Sequence, residues 1–390
     1  MGLKDTASLA LIPAAYKTSK IYSALPTDGD GDFTFTRSGN ATRVNKAGLV
    51  ETMGTNIGRL NYDLTNGTLA SCPSLLLEPS RTNNASRSET PQDGSWADPL
   101  NEWTLLTETT TSPRGDQTRV FDLEDSTGTL IRCQDFSVAA GTYTISFYIK
   151  DIGGNLTGGL VDLGDEGAGD TTPSLSTVGS EWVRVSRTIT TTSTKLFLDI
   201  QLTFTGSTNK VGIWGLQLEA GSYPTSYIPT TGIAAVTRTA DTCGDAGNST
   251  IIKAEGSLFA DFTTSNTDNF KRISITDASD SNNNIFIQLL GTSFAVQVIS
   301  GGTTLYSWGV SVTLSDRHKI ALRYKDGDSQ LYYNGTQQTD TTTSGTWFTD
   351  GLLDTFSLNQ GSFFNFYGEI YQTMVFNEAL SDSELQTLTS

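Results

Sequence analysis

Histidine is almost absent: His318 is the only one in 390 residues. A single imidazole excludes zinc sites built on two or three histidines and leaves one candidate base for a Ser-His-Asp arrangement. No Gly-x-Ser-x-Gly elbow supplies the nucleophile such an arrangement needs, so His318 reads as a strand-entry residue. Cysteine is scarce too. Cys72, Cys133 and Cys243 are widely spaced, odd in number and without a Cys-x-x-Cys pair. That argues against a disulfide scaffold and leaves them as small core or turn residues. No apolar run approaches the roughly 18 residues of a membrane span; the stretch 7–12 is far too short, and Lys4 followed at once by Asp5 makes a weak secretory start. Positive charge is also lacking. Against 42 acidic residues stand 25 basic ones, a net charge of -17. Nucleic acid and anionic membranes are poor partners for such a chain.

What is present is glycine, serine, threonine and asparagine, with charged residues at only 17%. This composition fits an all-β chain with many turns, and the length allows two or three domains at roughly 150 residues each. Residues 1–84 form an irregular block with dense turn signals such as 27–32 and 38–40. Between them lie short strand-like runs, among them Phe33-Thr34-Phe35-Thr36 and Leu75-Leu76-Leu77. The block holds too little periodic hydrophobicity for a large core of its own and is expected to lie against a neighbouring domain or subunit as an N-terminal arm. Residues 85–235 alternate as a β-sandwich does. Tyr143, Ile145, Phe147 and Ile149 share one face, as do Leu196, Leu198, Ile200 and Leu202, and a third strand follows at 211–218. Residues 236–249 read as a linker.

A second sandwich is expected over 250–390. Ile285, Ile287 and Leu289 alternate, and Asp326-Gly327-Asp328 joins two alternating runs as a hairpin turn. One short helix closes the chain, announced by the capping box Ser381-Asp382-Ser383-Glu384. The predicted architecture is two antiparallel β-sandwiches of jelly-roll type behind an irregular arm.

Several runs add a resemblance. His318 to Tyr324, Leu331 to Gly335 and Phe376 to Leu385 make the C-terminal block resemble a laminin-G or concanavalin-A-like lectin domain. Trp182-Val183-Arg184-Val185 with Val211 to Glu219 makes the middle block similar to jelly-roll carbohydrate-binding modules. The run Trp214 to Thr230 resembles a segment recurrent in tailed-bacteriophage virion proteins, and the runs 33–45 and 73–83 resemble the leader of the same family. This resemblance implies a non-enzymatic virion protein whose arm contacts other virion proteins and whose sandwiches contact host surface polysaccharide. It also implies repeated copies, a trimer by the habit of phage fibres. Tail-fibre adhesin and capsid-decorating or head-fibre protein both fit, and a polysaccharide-degrading enzyme or its accessory module is the rival from another class.

Candidate chemistry is sparse. Lectin-fold glucanases carry a Glu-x-Asp-x-x-Glu strand because acid and nucleophile must flank one bond. Here the nearest strand, 368–372, offers Glu369 without a partner on its face, so binding without cleavage is the expected mode. Asp28, Asp30 and Asp32 alternate with glycine like an oxygen-rich calcium loop. The twelfth position from Asp28 is Gly39 and not a bidentate glutamate. A solvated acidic turn is the plainer reading, with calcium the one cofactor the pattern admits. Sugar sites use flat rings that stack on pyranose C–H groups. The candidates are Trp347, Trp308, Tyr306, Trp96 and Trp103; Trp182 and Trp214, lying in alternating strands, are assigned to the core.

Overall fold

The computed structural model describes residues 2–65, 68–90, 103–123, 129–164, 171–175, 178–206, 208–265, 270–314, 316–339, 341–359 and 364–390. Strands dominate. Among these residues the one α-helix is Asp382–Thr389, and no helix is long and apolar enough to cross a membrane. The capping box forms as expected, with the Glu384 carboxylate accepting the Ser381 backbone N–H at 2.8 Å. Leu385 and Leu388 then face inward.

The middle sandwich packs a five-stranded sheet on a four-stranded one. The first runs in the order Thr104–Thr111, Gln117–Asp122, Lys210–Ala220, Gly141–Asp151, Val183–Thr191. The second runs Thr129–Ser137, Lys195–Phe204, Leu156–Gly164, Thr171–Ser174. Because side chains alternate across a strand, Tyr143, Ile145, Phe147 and Ile149 all enter one core, where they meet Leu196, Leu198, Ile200 and Leu202 from the facing sheet. The polar alternates of the five-stranded sheet therefore point outward, to the face that shapes the site described below.

The second sandwich is larger than its own segment of chain. Its six-stranded sheet is local, running from Thr341–Thr342 through Thr303–Ser311, Ser293–Ser300, Asn284–Leu290 and Lys271–Thr276 to Thr355–Ser357. Its eight-stranded sheet is not. On one edge of Gly368–Phe376 lies Gly256–Thr263. On the other edge two N-terminal strands sit end to end, Leu9–Leu11 with Leu9 opposite Val375, and Ser74–Leu77 with Leu75 opposite Ile370. Arg59–Asn61 adds a further strand beyond Ser74–Leu77. Leu9, Leu11, Ile21, Phe33, Phe35, Leu75 and Leu77 are all buried in the same core as Leu258, Ile320 and Val375.

The described residues of 2–84 are thus an integral part of the C-terminal sandwich and not a separate arm. Their apolar residues are too few to pack among themselves but enough to complete a sheet. The 236–249 segment is likewise no free linker. Val236–Arg238 pairs with Arg81–Asn83, and Thr242–Gly244 pairs with Phe33–Thr36. The chain builds part of one body, leaves it to form the whole middle sandwich, and returns to finish the first.

Candidate functional site

Where the two bodies meet, the three signature runs of the sequence converge. Glu78 from the run 73–83 accepts Arg59 Nη1 at 2.5 Å and Arg238 Nη1 at 2.9 Å. It also takes the backbone N–H and the hydroxyl of Ser226, both at 2.6 Å. Asp241 pairs with Arg37 at 3.2 Å and with Arg59, and accepts the Glu78 backbone N–H at 2.8 Å. All three guanidinium groups are buried. Burying charge is costly unless every partner is satisfied, and these partners are supplied by segments far apart in sequence. The Arg238 and Arg59 charges, with the Ser226 donors, hold the Glu78 carboxyl far below its ordinary range, at about 2, against the opposing effect of burial.

Neutral amides lock the same junction. Asn83 uses both ends of its side chain, donating to Leu216 O and Ile228 O and accepting from the N–H groups of Ala85 and Leu218. Gln217 accepts the Ile228 N–H at 2.6 Å. Glu219 accepts both the N–H and the hydroxyl of Thr225, and burial raises its pKa. The run 214–230 is therefore a strand that turns at Gly221 (φ +137°) and folds back over the outer face of its own sheet. Glycine is needed there, since few other residues tolerate that φ.

Beside this junction opens a cleft of about 960 Å³ between the outer face of the five-stranded sheet and the N- and C-terminal strands. One wall carries Tyr148, Lys150, Trp182 and Arg184; the other carries Tyr62, Asp63, Tyr367 and Glu369, and Tyr223 closes one side. Tyr148 lies directly opposite Arg184 across the Gly141–Asp151 and Val183–Thr191 pair. The guanidinium of Arg184 sits 5.6 Å from the Tyr148 ring centre and donates to Ser146 Oγ at 2.9 Å. Trp182 donates its indole N–H to Thr111 O at 2.8 Å. Its ring occupies the space over Gly212, where a Cβ would fall 2.6 Å from the indole. Glu369 is held by Asn61 Nδ2 at 2.8 Å and by the Tyr371 hydroxyl at 3.1 Å, with its pKa raised by burial.

No family model and no curated protein sequence matches the chain. Solved structures give only faint likenesses. A carbohydrate-binding module of the Ruminococcus gnavus IT-sialidase, bound to α2,3-sialyllactose, is 17% identical over 38% of this chain and 94% of its own, with a TM-score of 0.32. Domain 4 of an extracellular arabinanase from Geobacillus stearothermophilus, in complex with arabinotriose, is 14% identical over 44% and 84%, with a TM-score of 0.33. Domains LG4-5 of the mouse laminin α1 chain are 9% identical over 78% and 94%, with a TM-score of 0.26. At these values the likeness transfers no residue, ligand or activity.

The structure redistributes the residues expected from sequence. Trp308 and Tyr306 stack on each other inside the C-terminal core, at 2% and 7% exposure, and offer no face to a sugar. Their strand alternates apolar residues inward, and both fall on the inward phase. Trp347 is half-buried against the same core and spends its indole N–H on Ala254 O at 2.9 Å. Trp103 packs edge-on against Phe121 at the middle core, and Trp96 lies outside the described residues. Tyr306 also meets Trp347 edge-on, with ring centres 6.1 Å apart, so Tyr306, Trp308 and Trp347 cluster within and against the core and not around an open face.

The acidic loop is also in structural use. Asp28 accepts the Asp30 N–H, Asp30 accepts Asn248 Nδ2, and Asp32 takes Ser23 N–H and Lys20. Among the described residues no group of three or more His, Cys, Asp or Glu side chains is arranged to hold a metal ion. His318 is fully buried among Phe262, Phe294 and Tyr333, with Nδ1 3.0 Å from the Tyr333 hydroxyl, and burial lowers its pKa.

Trp214 is buried as expected, in a small cluster on the outer face of the sheet under Tyr227 and beside Tyr148, whereas the assignment of Trp182 to the core is corrected: it is half-exposed in the cleft. The signal was available in the phase of 182–188. Val183 and Val185 lie opposite Ile149 and Phe147 and so point inward, which sends Trp182, Arg184, Ser186 and Thr188 outward.

Proposed function

We propose that this protein is a non-enzymatic glycan-binding protein of a phage particle, which holds a host surface polysaccharide in the cleft between its two bodies. The observation that carries the binding reading is the composition of that cleft. Tyrosine and tryptophan rings line it together with hydrogen-bonding side chains, the combination that grips sugar rings by their C–H faces and reads their hydroxyls. Binding without cleavage is supported by what two of the four carboxylates lining the cleft, Glu78 and Glu369, are already doing. Glu78 is consumed by Arg59, Arg238 and Ser226, and Glu369 by Asn61 and Tyr371. A glycosidase needs two carboxyl groups free to face one bond. The virion assignment rests on the runs 33–45, 73–83 and 214–230 and on their resemblance to phage structural proteins. Weak individual contacts become firm attachment when several copies engage one polymer.

The test is retention of host surface polysaccharide on immobilised protein, with reducing ends assayed in parallel. Retention without new reducing ends, lost in Trp182→Ala, is the expected result. Release of reducing sugar would replace this reading with an enzymatic one. Immunogold labelling of particles with antibody against residues 250–390 tests the location, and unlabelled particles with free antigen in the lysate would remove the virion assignment.

A further inference from the structure

Resting on the glycan-binding reading, we infer that the cleft takes an acidic sugar, one carrying a carboxylate, held between Lys150 and Arg184. The two cations occupy one face of adjacent antiparallel strands. Arg184 is directly opposite Tyr148, and Lys150 lies two residues further along the same strand and face. Such diagonal neighbours stand about 7 Å apart, a spacing that lets one carboxylate placed between them reach both. Lys150 is half-exposed and forms no hydrogen bond or ion pair among the described residues. Arg184 uses one terminal nitrogen on Ser146 and braces its plane against Tyr148. Glu219, a carboxylate that feels the Arg184 charge, is already bonded twice to Thr225.

A wall with two cations, the ammonium of Lys150 without a side-chain partner among the described residues and Arg184 bonded only to the neutral Ser146 hydroxyl, is unexpected in a chain of net charge -17, since long-range attraction of anions cannot be its purpose. Its value is local. Asp63, Glu181 and Glu369 also line the cleft, and their charge would repel a densely charged polymer. Two cations set among these carboxylates suit a sugar with one carboxylate better than a neutral chain or a highly sulfated one.

The experiment uses the full-length protein on an array of bacterial capsular and cell-wall polysaccharides, each printed beside its carboxyl-reduced form, in which the carboxylate has become a primary alcohol. The expected result is that the retained polysaccharides are acidic, and that carboxyl reduction weakens retention about tenfold or more, as loss of a charge-assisted hydrogen bond does. Lys150→Met should show the same loss with an unchanged unfolding temperature, and Lys150→Arg should restore the preference. Equal retention of native and reduced forms, or an undiminished acid preference in Lys150→Met, overturns the inference and leaves glycan binding standing. Retention of no polysaccharide at all overturns the binding reading itself.

Discussion

Replacing Glu78 by glutamine keeps the size of the side chain and removes its charge. In the native protein that charge faces Arg59 at 2.5 Å and Arg238 at 2.9 Å, with Ser226 supplying two more donors. The carboxyl pKa falls from an ordinary 4.5 to about 2 on folding. At roughly 1.4 kcal/mol per unit, that difference is worth about 3 kcal/mol. Glu78→Gln also leaves three buried guanidinium groups sharing Asp241, and breaking a buried pair from one side costs about 3–5 kcal/mol. Both routes give the same size of effect, corresponding to a fall in melting temperature of roughly 4–6 °C for a chain this long. The sign with pH follows from the depressed folded pKa. The stabilisation is complete above about pH 5 and is lost as pH falls from 4.5 towards 2. Urea unfolding of both proteins at pH 7 and down an acid series measures each part. The wild type should lose its advantage over Glu78→Gln across that window. A variant within about 1 kcal/mol of wild type at pH 7, with a superimposable acid limb, would refute the assignment of the junction as a stabilising charge network.

Three further outcomes are expected. Since His318 is the only histidine, its imidazole C–H resonance is unambiguous in a proton NMR titration. Burial should place its midpoint below 6.5, and because the unfolded chain then binds the proton more readily, this residue makes stability fall as pH drops below about 6.5. A midpoint at or above 6.5 would contradict its burial. Trp308→Ala should cost about 3–5 kcal/mol in urea unfolding as a core truncation, far more than Trp182→Ala, and the reverse order would contradict their placements. A fragment of residues 83–230 should unfold cooperatively by itself, because its two sheets enclose a separate core; a molten fragment would show that the core depends on the other body.

The fold class was legible because alternation is a local signal. The inward sets at 143–149 and 196–202 and the outward threonines of 33–36 could be assigned residue by residue, and they sit in the structure as read. What the alternation could not convey was partnership. Nothing near Leu75 announces that it will pair with Ile370, so a strand belonging to a distant sheet read as part of an irregular arm. The site suffered similarly. Trp308 and Tyr306, stacking candidates by residue type, share the inward strand phase of Val310, while the phase of Val183 with Ile149 turns Trp182 outward. The signature runs 33–45, 73–83 and 214–230 stood out from the start. That Arg37, Glu78 and Ser226 from these three runs meet in one buried network is information that only the folded chain contains.

The return of the chain to its first body sets an order of events during synthesis. The strand Ser74–Leu77 leaves the ribosome long before its partner Gly368–Phe376 does. The middle sandwich closes its sheets with strands that all lie between residues 104 and 220, so it can fold while the rest is still being translated. Contacts of such different sequence separation form at very different rates. From the completion of Lys210–Ala220 until Gly368–Phe376 is made, the chain therefore carries a finished middle sandwich and an unfinished N-terminal segment. Leu9, Leu11, Leu75 and Leu77 wait with no sheet to join, and unpaired strands of this kind are where nascent proteins aggregate. Slowing translation after residue 250 should prolong that exposure, and the yield of folded protein should depend on chaperones that shield the first 84 residues.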